Sequence, residues 1–376
     1  MRILALVPSP ADMLPGQRYR IEQWAPLLRA RGVELTFQPL KCEALHELLC
    51  RPGNHWRKLR LTLRAIARRA RALSTLREYD AVYLYSEASI LGPAFFERLI
   101  RRSGVPLVFD FDDAIFLRCP SPISGHLRLL KFPAKTRAIC RLSSHVMVGN
   151  AYLAEYAGRF NSRVSVVPST IDLEKYRTPA PRVSSGPPVI GWTGSHSTVR
   201  HIESLRGVLR RLARREPFRL RVIGAPEFQL EGVAVEAVPW NSQTEVADLS
   251  QVDIGVMPLP DDPWTRGKCG MKALQFMALG VPVVCSPVGV NAHIVRDGEN
   301  GYLAADEDEW LDKLTLLLRS PALRNRLGAR GRLTVEAEFS SARQSPRVYE
   351  IFASVAAHSP GLSTEHPSPH REAPEG

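Results

Sequence analysis

The stretch GKCGMKALQFMALGVPVVCSPVGV, residues 267–290, sets Lys268 and Lys272 around the start of an apolar helical run, which one glycine separates from the strand-like VPVVCS. A helix closed by glycine and followed at once by a short apolar run is the end of a βαβ unit. Such a strand is buried on both faces, so the chain leading into it has little open surface for two cations. Two solvated lysines are one reading. The other is an anion at the mouth of the helix, where backbone N–H groups lack partners. Arg266, just upstream, can serve the same purpose.

The alternation extends outward in both directions. RILALV, VELTFQPL, DAVYLY, VPLVFDF, HVMVG and VSVVP read as strands, with helical patterns between them, including one helix over GQRYRIEQWAPLLRARG. RTPAPRVSSGPP, residues 177–188, breaks the pattern as a linker. VIGW, FRLRVIG, VAVEAVP, VDIGVMPL and VPVVCS resume it. The expected class is α/β, with two Rossmann-like domains, 1–180 and 181–342, built on parallel sheets. A last helix spans 343–358, interrupted or restarted at Pro346, and the Pro/Ser/Glu-rich 359–376 is a disordered tail. Ligands of open parallel sheets lie beyond the carboxyl ends of the strands, so the site belongs in a central cleft between the two sheets.

The composition, 44% hydrophobic and 23% charged, is that of a globular protein. ILALV after Arg2 is too short for a membrane span and lacks the features of a signal peptide, so a cytoplasmic location is expected. The six cysteines show no CxxC spacing, which argues against a zinc site or a disulfide framework. The net charge of +12 favours an anionic partner. Residues 51–77 carry nine arginines and lysines and no acid, with Trp56, Leu59, Leu63, Ile66, Ala70 and Leu73 at helical spacing. This basic amphipathic helix reads as a solvated helix docked by its apolar stripe, or as a contact with an anionic membrane surface that would make the protein peripheral at the inner face of the cell membrane. No aromatic interleaving or motif points to nucleic acid.

Candidate chemistry lies just after the strands. In GWTGSHSTVRHIE, Gly194 and Ser195 let the backbone approach a ligand, although a tight turn with a serine cap explains them equally well. Trp240 can stack on a base or belong to the core. Glu245 with Ser242 reads as a capping box and so falls outside the site. Gly16 opens the turn after the first strand. Arg18 and Arg20, two residues apart, cannot both face the cleft from one helix, and Arg18 or Tyr19 is the better candidate. Asp110, Asp112 and Asp113 in FDFDD suit an acceptor hydroxyl or an arginine better than a phosphate. Asp112 or Asp113 can orient or deprotonate a hydroxyl, or else cap a helix and pair with Arg118 or Arg137.

FDFDDAIF, VSVVPSTIDLEKY, IGWTGS, RGKCGMKALQFMALGVPVV and DGENGYLAADEDEWLDKL, in this order, resemble family 4 glycosyltransferases, and in particular a branch that makes bacterial surface polysaccharides. The resemblance covers roughly residues 1–357. It implies the GT-B fold, transfer of a sugar from a nucleoside diphosphate donor with retention, and no metal or other cofactor. It also implies a donor held mainly by the second domain, a lipid-linked or oligosaccharide acceptor held by the first, and a final helix crossing back. Lys268 and the Gly194–Ser195 turn match positions at the donor diphosphate, where a lysine stabilises the leaving nucleotide. Gly16, Arg18, Trp240, Arg266 and Lys272 complete the donor set with Gln275, which matches the second, ribose-binding glutamate of a Glu-x7-Glu motif. The first glutamate, which contacts the donor sugar, is replaced by Gly267. Many relatives have histidine where Asp112 stands, and the catalytic candidates are Asp112, Asp113 and Lys268. Gly267 and Gln275 also support a second reading, a GT-B-like protein that binds nucleotide or a partner without turnover. A sugar-nucleotide epimerase is a third. A dinucleotide oxidoreductase is disfavoured, because MRILALVPSPADMLPG lacks GxGxxG.

Overall fold

The computed structural model describes residues 1–49, 53–89, 92–117, 133–178, 186–195 and 197–357. Arg118, most of the linker and the tail after 357 lie outside the described residues. Six apolar runs form the first sheet: β1 (Arg2–Val7), β2 (Glu34–Pro39), β3 (Ala81–Tyr85), β4 (Leu107–Phe111), β5 (His145–Val148) and β6 (Val164–Val166), in the order β2-β1-β3-β4-β5-β6. The second sheet holds β7 (Val189–Thr193), β8 (Arg219–Ile223), β9 (Ala234–Val238), β10 (Ile254–Met257), β11 (Val283–Cys285) and β12 (Tyr302–Leu303), in the order β12-β11-β10-β7-β8-β9. Every pairing is parallel. The fold is α/β and GT-B. Strand β12 has no counterpart in the sequence reading; two residues are too few to show a period.

The helices of the first half are α1 (Pro15–Gln17), α2 (Gln23–Arg29), α3 (Glu43–Leu49), α4 (His55–Leu73), α5 (Phe95–Ser103), α6 (Pro133–Leu142) and α7 (Ala151–Gly158). Those of the second are α8 (Val199–Glu203), α9 (Arg206–Ala213), α10 (Glu245–Leu249), α11 (Pro263–Arg266), α12 (Met271–Ala278), α13 (Asn291–Ile294), α14 (Glu307–Arg319), α15 (Pro321–Thr334) and α16 (Ser341–Ala356). They cover both faces of each sheet, which is why the inner strands are continuous apolar runs. The single helix read over residues 16–32 is broken at Arg20 (φ −120, ψ −110). The break turns Arg20 into the core while Arg18 and Tyr19 point elsewhere. Helix α16 runs straight through Pro346. It packs Val348, Ile351, Phe352 and Val355 against Ile3, Ala5, Trp24 and Tyr83 of the first half. Phe352 meets Tyr83 edge-on at 5.9 Å between ring centroids.

Each sheet reverses its strand order once, between β1 and β3 and between β7 and β10. The loops after β1, β4, β7 and α11 meet there, at the carboxyl ends of both sheets, where open sheets bind ligands. Helix α15 crosses the turn at Gly280 between α12 and β11 in close backbone contact. A Cβ on Gly328 would fall inside the van der Waals radius of the Gly280 carbonyl oxygen. Gly328→Ala therefore sets two effects against each other. Helix propensity alone would add about 1 kcal/mol, whereas overpacking against fixed backbone costs ~1–3 kcal/mol or more. The expected outcome is net destabilisation, read as a lower urea midpoint with an unchanged slope.

Candidate active site

A cleft of about 540 Å³ lies between the sheets. From the first half it is lined by Gly16, Tyr19, Asp112 and Asp113, and from the second by Gly194, Ser195, Trp240, Glu245, Lys268, Lys272 and Gln275. Backbone meets backbone at its floor. Gly224, at φ +93, presses against the carbonyl of Gly194, so neither strand-end turn tolerates a side chain. Helix α12 opens at Gly270 in the left-handed region (φ +68) with no side-chain cap, so the orphan N–H groups of its first turn face the cleft.

The cations behave differently from one another. Lys268 Nζ donates to Asp113 Oδ1 at 2.8 Å, bridging the two halves. Burial works against its charge, but Asp113 and Asp112 outweigh it and hold its pKa above the ordinary lysine value. Lys272 has no carboxylate partner among the described residues and lies 5.9 Å over the Trp192 ring. Burial, then Lys268, pull its pKa down to about 8. Arg266 is exposed, bonded by Nε and Nη2 to Asp261 at 2.6 and 2.9 Å, and lines no part of the cleft. The donor-side expectation for Arg266 is therefore corrected: at the end of the short α11 its guanidinium folds back along its own helix.

The three carboxylates of FDFDD also separate. Asp110 faces the core, bonded to Arg20 at 2.5 and 2.6 Å and to Tyr83 at 2.5 Å. Asp112 and Asp113 remain in the cleft. Asp112 Oδ1 accepts from Tyr85 at 2.6 Å. Burial, then Asp113, push its pKa up to about 6 against the pull of Arg20. The partner of Asp113 is Lys268 rather than Arg137, which borders a separate cavity between α5 and α6.

The largest corrections concern Glu245 and Arg18, while Gln275 stays in the cleft lining. Helix α10 begins at Glu245 with Thr244 before it and no side-chain cap, so there is no capping box with Ser242. Glu245 is buried instead and accepts from Arg18 at 2.7 and 2.9 Å, Tyr19 at 3.0 Å, Tyr176 at 2.8 Å and Trp240 at 2.8 Å. Arg18 turns into this cluster and away from the cleft. Gln275 commits its Nε2 to Tyr19 at 2.7 Å and Tyr176 at 3.0 Å, so its amide nitrogen is already used within the protein. Trp240 stays half-buried on the cleft wall, its indole nitrogen held by Glu245. No local pattern distinguishes Glu245 or Tyr176 from surface residues; apart from Trp240, the partners of Glu245 lie 69–227 positions away. Gly267 has a physical explanation. A Cβ there would lie 2.7 Å from Ala114 Cβ and 3.0 Å from Ala114 N, so the backbone passes too close to the first half for a glutamate.

Residues 187–320 match a family model described as "Glycosyl transferases group 1". A D-inositol 3-phosphate glycosyltransferase of Nocardia farcinica is 26% identical over 54% of this chain, a match that spans only 49% of that protein's length. Among solved structures, a sucrose-phosphate synthase from Thermosynechococcus elongatus superposes with a TM-score of 0.70 over 96% of this chain and all of its own, at 17% identity. HepE of Anabaena, solved with UDP and glucose, gives 0.62 over 94% of this chain and all of its own, at 16% identity. The segment holding Gly194, Trp240, Lys268 and Gln275 thus falls within the glycosyl transferase group 1 match, on a chain whose two sheets have the GT-B fold.

Proposed function

We propose that this protein is a retaining, metal-independent glycosyltransferase that moves a sugar from a nucleoside diphosphate sugar to an acceptor hydroxyl of a surface-polysaccharide precursor. The observation that carries this reading is the pairing of Lys268 and Lys272 at the uncapped start of α12, opposite the bare backbone of Gly194. Lys272 sits there with no carboxylate partner among the described residues, and each lysine opposes the charge of the other. A diphosphate satisfies both. The bond between the sugar and the diphosphate oxygen breaks, its electron pair leaves with the nucleotide, and the lysines hold the charge that grows there. The acceptor oxygen takes the same face of the anomeric carbon, and Asp112 orients the hydroxyl or receives its proton. Asp113 keeps Lys268 aimed into the cleft. Trp240 offers a ring edge to the base. The family match and the relatives named above support the class of reaction.

Gly267 and Gln275 favour a second reading, a donor-binding protein without turnover. Release of nucleoside diphosphate on mixing sugar nucleotides with acceptor decides between the two. Lys268→Ala should lower turnover on the order of 100-fold or more in a protein that still folds, as checked by circular dichroism. Normal turnover in the folded variant sinks the assignment.

Donor affinity should weaken as pH rises through about 8, because Lys272 must be protonated to hold an anion and its pKa in the unliganded protein is about 8. Lys272→Met should bind donor weakly with a flat profile from pH 7 to pH 9, measured by calorimetry.

Asp112 acts on stability rather than on donor affinity. Its folded pKa of about 6 exceeds the ordinary 3.8, so the folded state binds the extra proton between those values. Stability is therefore lost as pH rises from about 4 to about 6, and the penalty persists above. Asp113, Asp110, Arg20 and Tyr85 bear on this group, and Lys268 interacts with it across the cleft. Asp112→Asn should melt higher than wild type at neutral pH, with the difference vanishing near pH 4. An advantage that persists at pH 4 refutes the raised pKa.

A further inference from the structure

Helix α4 is mounted with its apolar side outward. The face against the protein includes Leu61, Ala65 and Arg69, and at the end of the helix Leu73 packs on the core of the first half. Arg69 is fully buried and donates to the carbonyls of Gln38 and Val7 at 3.0 Å each, and Arg68 reaches the Leu40 carbonyl at 2.8 Å. These bonds fix the roll of the helix, because turning it would strand a guanidinium among apolar groups. The opposite face exposes Trp56 (85%), Leu59 (49%), Leu63 (57%) and Ile66 (38%) in one row. Exposed Arg60 and Arg64 run along one side of the row, with Arg57 further round the helix, and no acidic residue lies on the helix.

The location adds a second constraint. Leu61 and Ala65 pack on Leu40, Cys42, Leu45 and Leu49, which follow the carboxyl end of β2. In α3, His46 Nδ1 meets Ser9 Oγ at 3.1 Å, and Ser9 is bonded in turn to Gln17, next to Gly16 of the cleft. Helix α4 descends from here toward β3, so its first turns project past the strand ends. Trp56 stands about 14 Å beyond Ala65 along the axis, on the cleft side.

We propose that this face of α4 docks on an anionic lipid bilayer and holds the rim of the cleft against the membrane. Trp56, Leu59 and Leu63 enter the headgroup boundary, and the flanking arginines meet lipid phosphates. The charge argues against two other occupants. A second copy would bring two arginine rows together, and a nucleic acid would leave the tryptophan and leucines in water. The proposal goes beyond the transfer reaction and is tested without it.

The full chain is mixed with phosphatidylcholine vesicles, with and without phosphatidylglycerol, and sedimented at low and high salt. Binding should need the anionic lipid and be reversed by salt. Arg57→Glu, Arg60→Glu and Arg64→Glu combined should weaken it on the order of a hundredfold, since each arginine contributes about fivefold. Leu59→Ser with Leu63→Ser should weaken it without altering the net charge. Both variants should keep the wild-type melting temperature and its shift with sugar nucleotide. The proposal falls if the wild type ignores anionic vesicles, binds neutral ones equally regardless of salt, or sediments as a dimer that the serine variant dissociates. Retention on DNA but not on vesicles overturns it as well.

Discussion

The cleft depends on one buried carboxylate. Glu245 accepts hydrogen bonds from Arg18 and Tyr19 of the first half, Tyr176 of the connecting segment and Trp240 of its own half. Gln275 closes the knot by donating to both tyrosines. Burial raises the Tyr19 phenol above its usual range, and Glu245 raises it further, so the hydroxyl stays a donor. Removing one member of such a network leaves an uncompensated buried charge, a cost of about 3–5 kcal/mol. Polar bonds therefore tie the halves together at one end of the cleft, while its other end carries Lys268 and Lys272.

That other end is governed by desolvated charge. Asp110, Asp112 and Asp113 stand within four residues yet meet three environments. Asp110 is neutralised by Arg20 in the core, Asp113 is paired with Lys268, and Asp112 keeps only a phenol and a raised pKa. Lys268 is the hinge of this arrangement. It pairs with Asp113 across the cleft and so ties the two halves together.

Helix α4 inverts the usual rule for amphipathic helices, burying an arginine and exposing leucines and a tryptophan. The inversion is stable because the buried guanidinium bonds to two strand-end carbonyls. The Gln275 amide serves two tyrosines whose hydroxyls already donate to Glu245, so a carboxylate at 275 would have no proton to offer them.

The amino-acid sequence by itself determined the two parallel sheets. Strands buried on both faces must be continuously apolar, and that pattern is local. It also placed Gly194, Lys268 and Asp112 at strand ends, which is where parallel sheets bind ligands. The tertiary structure alone decided what each polar side chain does. Locally, Glu245 reads as a helix cap, Arg18 as a ligand contact, Gln275 as a free cleft amide, and α4 as a helix that either lies on its apolar stripe or meets a membrane. Each of those readings used near neighbours in the chain, but a buried charge or amide takes whatever partner the fold brings within 3 Å. For Gln275 that partner is 256 residues away. For Arg69 it is the end of a strand, and no periodicity in the helix records it.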